Sequence, residues 1–165
     1  MEKLIDQYIR ENQLQPHPEG GYFHRLHTSS FLFSMDKTRK AASSVLYMLP
    51  QGAFSAFHRI DAEEVWYPAD GTAMLLVLLF PDGSLEKIVL GKNSFAGQRR
   101  AFCVAPGTWM AARPQGTGAF SSVICHVTPA FVYEGFQLAT PEGLLHRFPQ
   151  HETVIRAFTR NDNTF

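Results

Sequence analysis

The feature that most constrains the fold is a succession of short β-prone runs, beginning at Ala42, with turn residues between them. They are Ser44–Leu49, Ser55–Ile60, Glu64–Tyr67, Thr72–Phe80, Leu85–Leu90, Ala101–Ala105, Thr108–Ala112, Ser121–Thr128 and Phe131–Leu138. Strands this closely spaced, without helical patterns between them, exclude a βαβ layout and predict an all-β sandwich or barrel. Pro81-Asp82-Gly83 sets a hairpin between two of the runs. Upstream, Leu4, Ile5, Tyr8 and Ile9 recur at helical spacing, so residues 1–13 form a short amphipathic helix that must dock to persist. Pro16-His17-Pro18-Glu19-Gly20-Gly21 ends that helix, because proline disfavours helix before it and paired glycines open other conformations. A strand over Tyr22–Thr28 follows. After Pro141 the pattern turns helical over Glu142–Phe148 and His151–Phe158, a cover over residues 141–160, and the tail from Asn161 is polar and frayed. The whole chain, 1–165, reads as one domain with its barrel at about 20–140.

Charge excludes some partners. Fifteen basic residues balance fifteen acidic ones, so no net field draws nucleic acid or anionic lipid. The N-terminus lacks a signal-peptide design, and the apolar run Ala73 to Phe80 is too short to span a bilayer; the expectation is a soluble, cytoplasmic protein. Cys103 and Cys125 lie in apolar strand-like runs and read as buried thiols, since nothing in their spacing suggests a disulfide framework. Fourteen phenylalanines supply a compact interior, with a surplus that suits a subunit interface.

Strand geometry turns one stretch, Gly52 to Gly71, into a candidate site. Side chains alternate across a strand, so His58 and Ile60 share a face, as do Glu64 and Trp66 on the next strand. A hairpin around Asp61-Ala62 would bring those faces together inside a barrel. An imidazole beside a carboxylate suits an acid–base pair, with His58 as base and Glu64 orienting it, or part of a metal site, or a buried hydrogen-bonded pair with no chemistry.

The segments His17-Pro-Glu-Gly-Gly-Tyr22, Phe57-His-Arg-Ile-Asp-Ala-Glu-Glu-Val-Trp66, Leu90-Gly91 and Val127-Thr-Pro-Ala-Phe131 together resemble the small single-domain cupins marked by an HPEGG-type N-terminal motif. The resemblance covers about Leu14 to Phe148. It implies a jelly-roll barrel (a double-stranded β-helix), commonly a homodimer, with a small-molecule pocket inside. The register Gly52, His58, Glu64, Gly71 matches the first cupin motif, with Ile60 where a second histidine belongs. Ala105-Pro106-Gly107-Thr108-Trp109-Met110 matches the second motif, with Met110 in place of its histidine. Cupins typically hold a divalent ion through three histidines and a glutamate, of which His58 and Glu64 are the two retained here; a metal is therefore an expected option, not the favoured one. His126, His24 or Glu63 would have to complete such a site. Jelly-roll relatives that epimerise nucleotide-linked sugars work without metal, which implies an isomerase- or epimerase-like step on a small polar metabolite, such as a sugar derivative; a non-catalytic binding module fits the same residues.

Further candidates carry two readings each. Glu19 presents a carboxylate at the pocket rim, or its turn leads into an edge strand that crosses to a partner subunit. Tyr22, Phe54, Trp66 and Trp109 offer flat walls for a ligand or simple core packing, with Trp66 sharing Glu64's face and Tyr22 also a candidate to return a proton. Arg113 is a candidate anion clamp, and Arg59, pointing away from His58, is expected to pair with Asp61 or Glu63. His126 shares a face with Ser122 and Ile124 and reads as a satisfied core or interface histidine.

Overall fold

The computed structural model describes residues 2–160; the frayed tail expected from Asn161 lies outside them. In chain order the elements are α1 (Glu2–Glu11), β1 (Gln15–Pro16), β2 (Tyr22–Thr28), β3 (Leu32–Phe33), β4 (Asp36–Lys40), β5 (Ser43–Pro50), β6 (Ser55–Arg59), β7 (Glu63–Gly71), β8 (Ala73–Leu79), β9 (Leu85–Leu90), β10 (Phe102–Val104), β11 (Trp109–Gln115), β12 (Phe120–Thr128), β13 (Gln137–Leu138), α2 (Pro141–Arg147) and α3 (Glu152–Ala157). The strands form a six-stranded sheet, β1-β2-β5-β12-β7-β10, facing a five-stranded one, β13-β6-β11-β8-β9, in a jelly-roll arrangement. All ladders are antiparallel, and β8 and β9 meet through the hairpin at Pro81–Gly83.

Apolar alternation sorts the core into layers. Between the sheets lie Tyr47, Leu49, Ile60, Trp66, Leu76, Leu78, Met110 and Val123. The outer face of the five-stranded sheet is also apolar, through Phe57, Val77, Leu79, Trp109 and Ala111. It is covered by Leu144 of α2, Ile155 of α3, and Phe148 and Phe158 beside them. Thr140 caps α2 by accepting from the Gly143 amide, and Pro141 fills its first turn. On the outer face of the six-stranded sheet, Ile5, Tyr8 and Ile9 of α1 dock on Leu14, Leu46, Met48 and Phe120, while Leu4, expected in that stripe, stays exposed. No helix among the described residues is long and apolar enough to cross a membrane.

Three expectations are corrected. Residues 60–62 form no hairpin: β6 belongs to the five-stranded sheet and β7 to the six-stranded one, so the chain there crosses the barrel. The run Phe131–Leu138 is strand only at Gln137–Leu138, after a 3₁₀ turn at Tyr133–Gly135 whose aromatic neighbours turn inward. And β3–β4 is a hairpin that the patterning missed, because its apolar residues are turned to solvent: Phe31 is 78% exposed and Met35 88%. Asp36 pins its turn by accepting from both the amide and hydroxyl of Thr38.

Candidate functional site

The crossing at residues 60–62 places His58 and Glu64 on opposing sheets, both facing a cavity partly open to solvent. Its volume is about 50 Å³. Since a single water needs about 10–15 Å³ on this measure, the space admits a fragment of a few heavy atoms. Its walls include Glu19, His58, Ile60, Glu64, Trp66 and Cys125, with Arg25 and Tyr133 also lining it.

The carboxylate that holds His58 is Glu19, not Glu64. His58 Nε2 lies 3.1 Å from Glu19 Oε2, and both residues are buried, 3% and 6% exposed. His58 Nδ1 is 2.8 Å from the Ala56 carbonyl oxygen, which can only accept, so Nδ1 carries hydrogen. The Nε2–Glu19 contact is favourable when a second proton lies between the two groups. The other Glu19 oxygen, Oε1, accepts from Ser55 Oγ at 3.0 Å. Ser55 and His58, three apart on β6, would face opposite sides of a regular strand. The register with β11 slips between Met110↔His58 and Ala112↔Ser55, and this bulge lets both reach the same carboxylate.

Glu19 arrives through the turn ahead of β2. Gly20 has φ +112° and Gly21 φ +71°, and a Cβ would stand 2.5 Å from the Phe54 carbonyl oxygen at the first and 2.6 Å from that of Met48 at the second. Only glycine fits either place. Tyr47 Oη locks the turn by donating to the Gly20 carbonyl at 2.7 Å. His17 completes the group: its Nδ1 accepts from the Glu19 amide at 3.3 Å and sits 3.5 Å from Glu19 Oε2. Burial lowers the pKa of His17, with Glu19 opposing the shift. Phe136 lies over His58, ring centroids 5.6 Å apart.

Glu64 stands alone by comparison. It makes no hydrogen bond or ion pair of ordinary length among the described residues. Burial pushes its pKa up to about 7, His58 pulls it down and Glu19 pushes it further up; the Trp66 indole and Cys125 thiol favour its ionised form more weakly. Trp66 Nε1 is itself buried without a hydrogen-bond partner. The Cys125 thiol is raised well above the usual range by burial, then by Glu64 and Glu19.

Of the residues singled out from sequence, Glu19, His58, Glu64 and Trp66 line the cavity. Met110 lies directly opposite His58 in the β6–β11 register, where the second motif placed a ligand, but stays within the core behind the wall. Tyr22, Phe54, Trp109 and Arg113 lie elsewhere. Tyr22 packs under α1, and Phe54 and Trp109 pack beneath the C-terminal cover. The exposed Arg113 lies over the Phe158 ring at 5.7 Å. Glu19 is no rim residue, and its turn leads into β2, which pairs with β1 and β5 of its own chain. Arg59 donates to Gln137 Oε1 and stacks on Trp109, because Asp61 is held by both terminal nitrogens of Arg39 at 2.9 Å. His126 bonds Ser44 Oγ at 2.8 Å, and neither it, His24 nor Glu63 reaches the cavity. Cys103 is exposed. Sequence reading missed His17, Arg25, Tyr47, Tyr133 and Phe136 as site residues; the signal for His17 was its place two residues before Glu19, and for Arg25 its parity with Phe23 on β2.

The residues present do not match the ligand set of a divalent ion. Ile60 puts hydrocarbon on the cavity wall, Met110, across from His58 in the strand register, lies in the core and not on that wall, and both nitrogens of His58 contact oxygens of the protein itself. No three His, Cys, Asp or Glu side chains among the described residues are arranged to hold an ion.

The family described as Cupin superfamily (DUF985) matches residues 6–139. Among solved structures, a protein from Shewanella oneidensis is 34% identical, with 95% of this chain and 98% of that one covered and a TM-score of 0.89. A hypothetical protein from Leishmania major is 24% identical over 93% of this chain and 97% of its own, TM-score 0.86. A cupin 2 conserved barrel domain protein from Rhodopseudomonas palustris shares the fold at 15% identity, covering 86% and 81%, TM-score 0.57. No curated protein matches.

Proposed function

Because the chain belongs to the Cupin superfamily (DUF985), we propose that its barrel takes up a small polar molecule and moves a proton on it without a metal, in an isomerase-like step. The observation that carries this reading is the close Glu19–His58 pair and, across one small cavity, Glu64 with neither an ion pair nor a hydrogen bond of ordinary geometry among the described residues. Glu64 is then the acid–base group, and His58, held by Glu19 and Ala56, is the charge that keeps it from rising further. This exchanges the roles expected from sequence.

The step balances within the chain. The Glu64 carboxylate takes a proton from carbon next to a carbonyl and the C–H electrons form an enolate; the same carboxyl returns the proton to that carbon, or, where that carbon carries a hydroxyl whose proton passes to the enolate oxygen, to the former carbonyl carbon. A base near neutrality is half in the form needed at each stage. The Trp66 N–H, which favours ionised Glu64 only weakly and has no hydrogen-bond partner of ordinary geometry among the described residues, supplies a donor for the enolate oxygen in a buried setting, where such a donor is worth most. A cavity of about 50 Å³ limits what enters to a short molecule or the reacting end of a larger one such as a sugar derivative.

Solvent deuterium provides the test. Small carbonyl compounds, pyruvate among them, incubated with the protein in heavy water should gain deuterium next to the carbonyl, followed by proton NMR, and Glu64→Gln should abolish the gain. Uptake that persists in that variant ends the assignment. The non-catalytic reading is favoured by one fact, that both ring nitrogens of His58 contact oxygens of the protein itself, and predicts a saturable ligand with no deuterium uptake.

A further inference from the structure

Among the arginines, Arg25 is set apart by its surroundings. Arg39, Arg99 and Arg156 have carboxylate partners, and Arg59, Arg100 and Arg160 donate to amide or carbonyl oxygens. Arg10, Arg113 and Arg147 donate to no such group and are exposed. Arg25 is half-buried, and among the described residues its guanidinium meets neither a carboxylate nor a hydrogen-bond acceptor.

Its place is the cavity wall. On β2, Phe23 and Arg25 share the inward face, and Arg25 lines the cavity with Phe131 and the exposed Tyr133, at the mouth. Its Cζ stands 5.9 Å from the Phe131 ring centroid. Stacking fixes the plane of a guanidinium but uses none of its N–H groups, so the fork stays free for a bidentate partner. A half-buried cation without a counter-charge has lost hydration and gained no ion pair, a deficit that an anion arriving with the ligand would offset. The rest of the cavity does not forbid that anion. Glu19 lies 3.1 Å from His58 Nε2 and accepts from Ser55, and Glu64 is the one carboxyl lining the cavity without such a partner among the described residues.

We propose that Arg25 docks a carboxylate on the ligand, which makes the molecule entering the cavity a short 2-oxo or 2-hydroxy acid. The carboxylate sits at the mouth against Phe131 and Tyr133, and the carbonyl end points inward. The docking claim stands on Arg25 alone; the claim that the docked acid undergoes proton transfer rests on the reading of Glu64 above.

The test pairs pyruvate with pyruvamide, its neutral counterpart of nearly equal shape, in calorimetric titrations of the intact protein. Pyruvate should bind and pyruvamide should bind about tenfold or more weakly, the worth of a charge-assisted bidentate contact. Arg25→Gln should remove that preference and Arg25→Lys restore part of it, with unfolding temperatures confirming that both variants are folded. Equal affinity for the two compounds, undiminished pyruvate binding in Arg25→Gln, or no pyruvate binding at all would overturn the proposal. Pyruvate binding that needs Arg25 but gives no deuterium uptake would leave the docking site standing and end the proton-transfer reading. Uptake into pyruvamide as fast as into pyruvate, unaffected by Arg25→Gln, would do the reverse.

Discussion

Glu64→Gln removes an ionisation that the folded barrel resists, so its effect on stability must depend on pH in a calculable way. The carboxyl has an ordinary value of 4.5 in the unfolded chain and about 7 in the fold. The native state therefore holds this proton more tightly than the unfolded one, and the wild type is at its best, relative to the variant, below about pH 4.5. As pH rises to about 7 that advantage is lost, and above it the difference is constant. At about 1.4 kcal/mol per pH unit the loss comes to roughly 3 kcal/mol. For a domain of this size that corresponds to roughly 6–12 °C in unfolding temperature. Urea or thermal unfolding of both proteins from pH 4 to 9, in one salt concentration, reads the difference directly and cancels every other titrating group. Glutamine should gain on glutamate across that window and plateau beyond it. A difference that stays flat with pH would mean that Glu64 is solvated or already paired in the fold, and the reasoning for it as a poised acid–base group would fail.

Three other substitutions in the cavity, and one measurement on the unchanged protein, test the structure further. His58→Gln takes away the group that lowers the proton affinity of Glu64, so the Glu64 midpoint, followed by carbon NMR, should rise above its wild-type value; leaving Glu19 buried without its partner should also cost about 3 kcal/mol. An unmoved midpoint would separate the two groups electrostatically. Trp66→Phe removes a buried N–H along with part of a core ring, so the free protein should lose about 1–3 kcal/mol while deuterium uptake falls about a hundredfold, and a folded variant of full activity would free the indole N–H of any role. Ile60→His adds an imidazole to the cavity wall and should raise affinity for Ni²⁺ in competition with a chromophoric chelator; unchanged affinity would contradict the placement of residue 60 beside His58. Exposed Phe31, Leu32 and Met35 on the β3–β4 hairpin suit burial against a second copy, so the protein should sediment at twice its chain mass, and a monomer at micromolar concentration would refute this.

Strand parity is what made the interior legible from sequence, and its limits explain what was not. Alternation put His58 with Ile60 and Glu64 with Trp66, and the structure turns all four toward one cavity. Parity says which residues share a face but not which face is inside when both are apolar. In β11 the inner Met110 and the outer Trp109 are equally hydrophobic, since the outer face is covered by α2 and α3; Trp109 and Phe54 were misplaced for that reason. Tyr22 fails the same way under α1. The crossing after β6 was invisible because hairpins and sheet-to-sheet crossings use similar short polar links. Glu19 needed a bulge, two left-handed glycines and a tyrosine from another strand to reach His58, and no local pattern announces such a convergence. Parity with Phe23 puts Arg25 on the inward face, but that it lacks a partner among the described residues is a property that exists once the other arginines have been placed.

Neutron diffraction from deuterated crystals grown near pH 7 would locate the protons on which the account turns. The predicted map shows deuterium on His58 Nδ1 facing Ala56, a second deuterium between His58 Nε2 and Glu19, and partial occupancy on the Glu64 carboxyl. A bare His58 Nε2 with Glu19 turned away from it, or a fully ionised Glu64 bound to neighbouring donors, would contradict it.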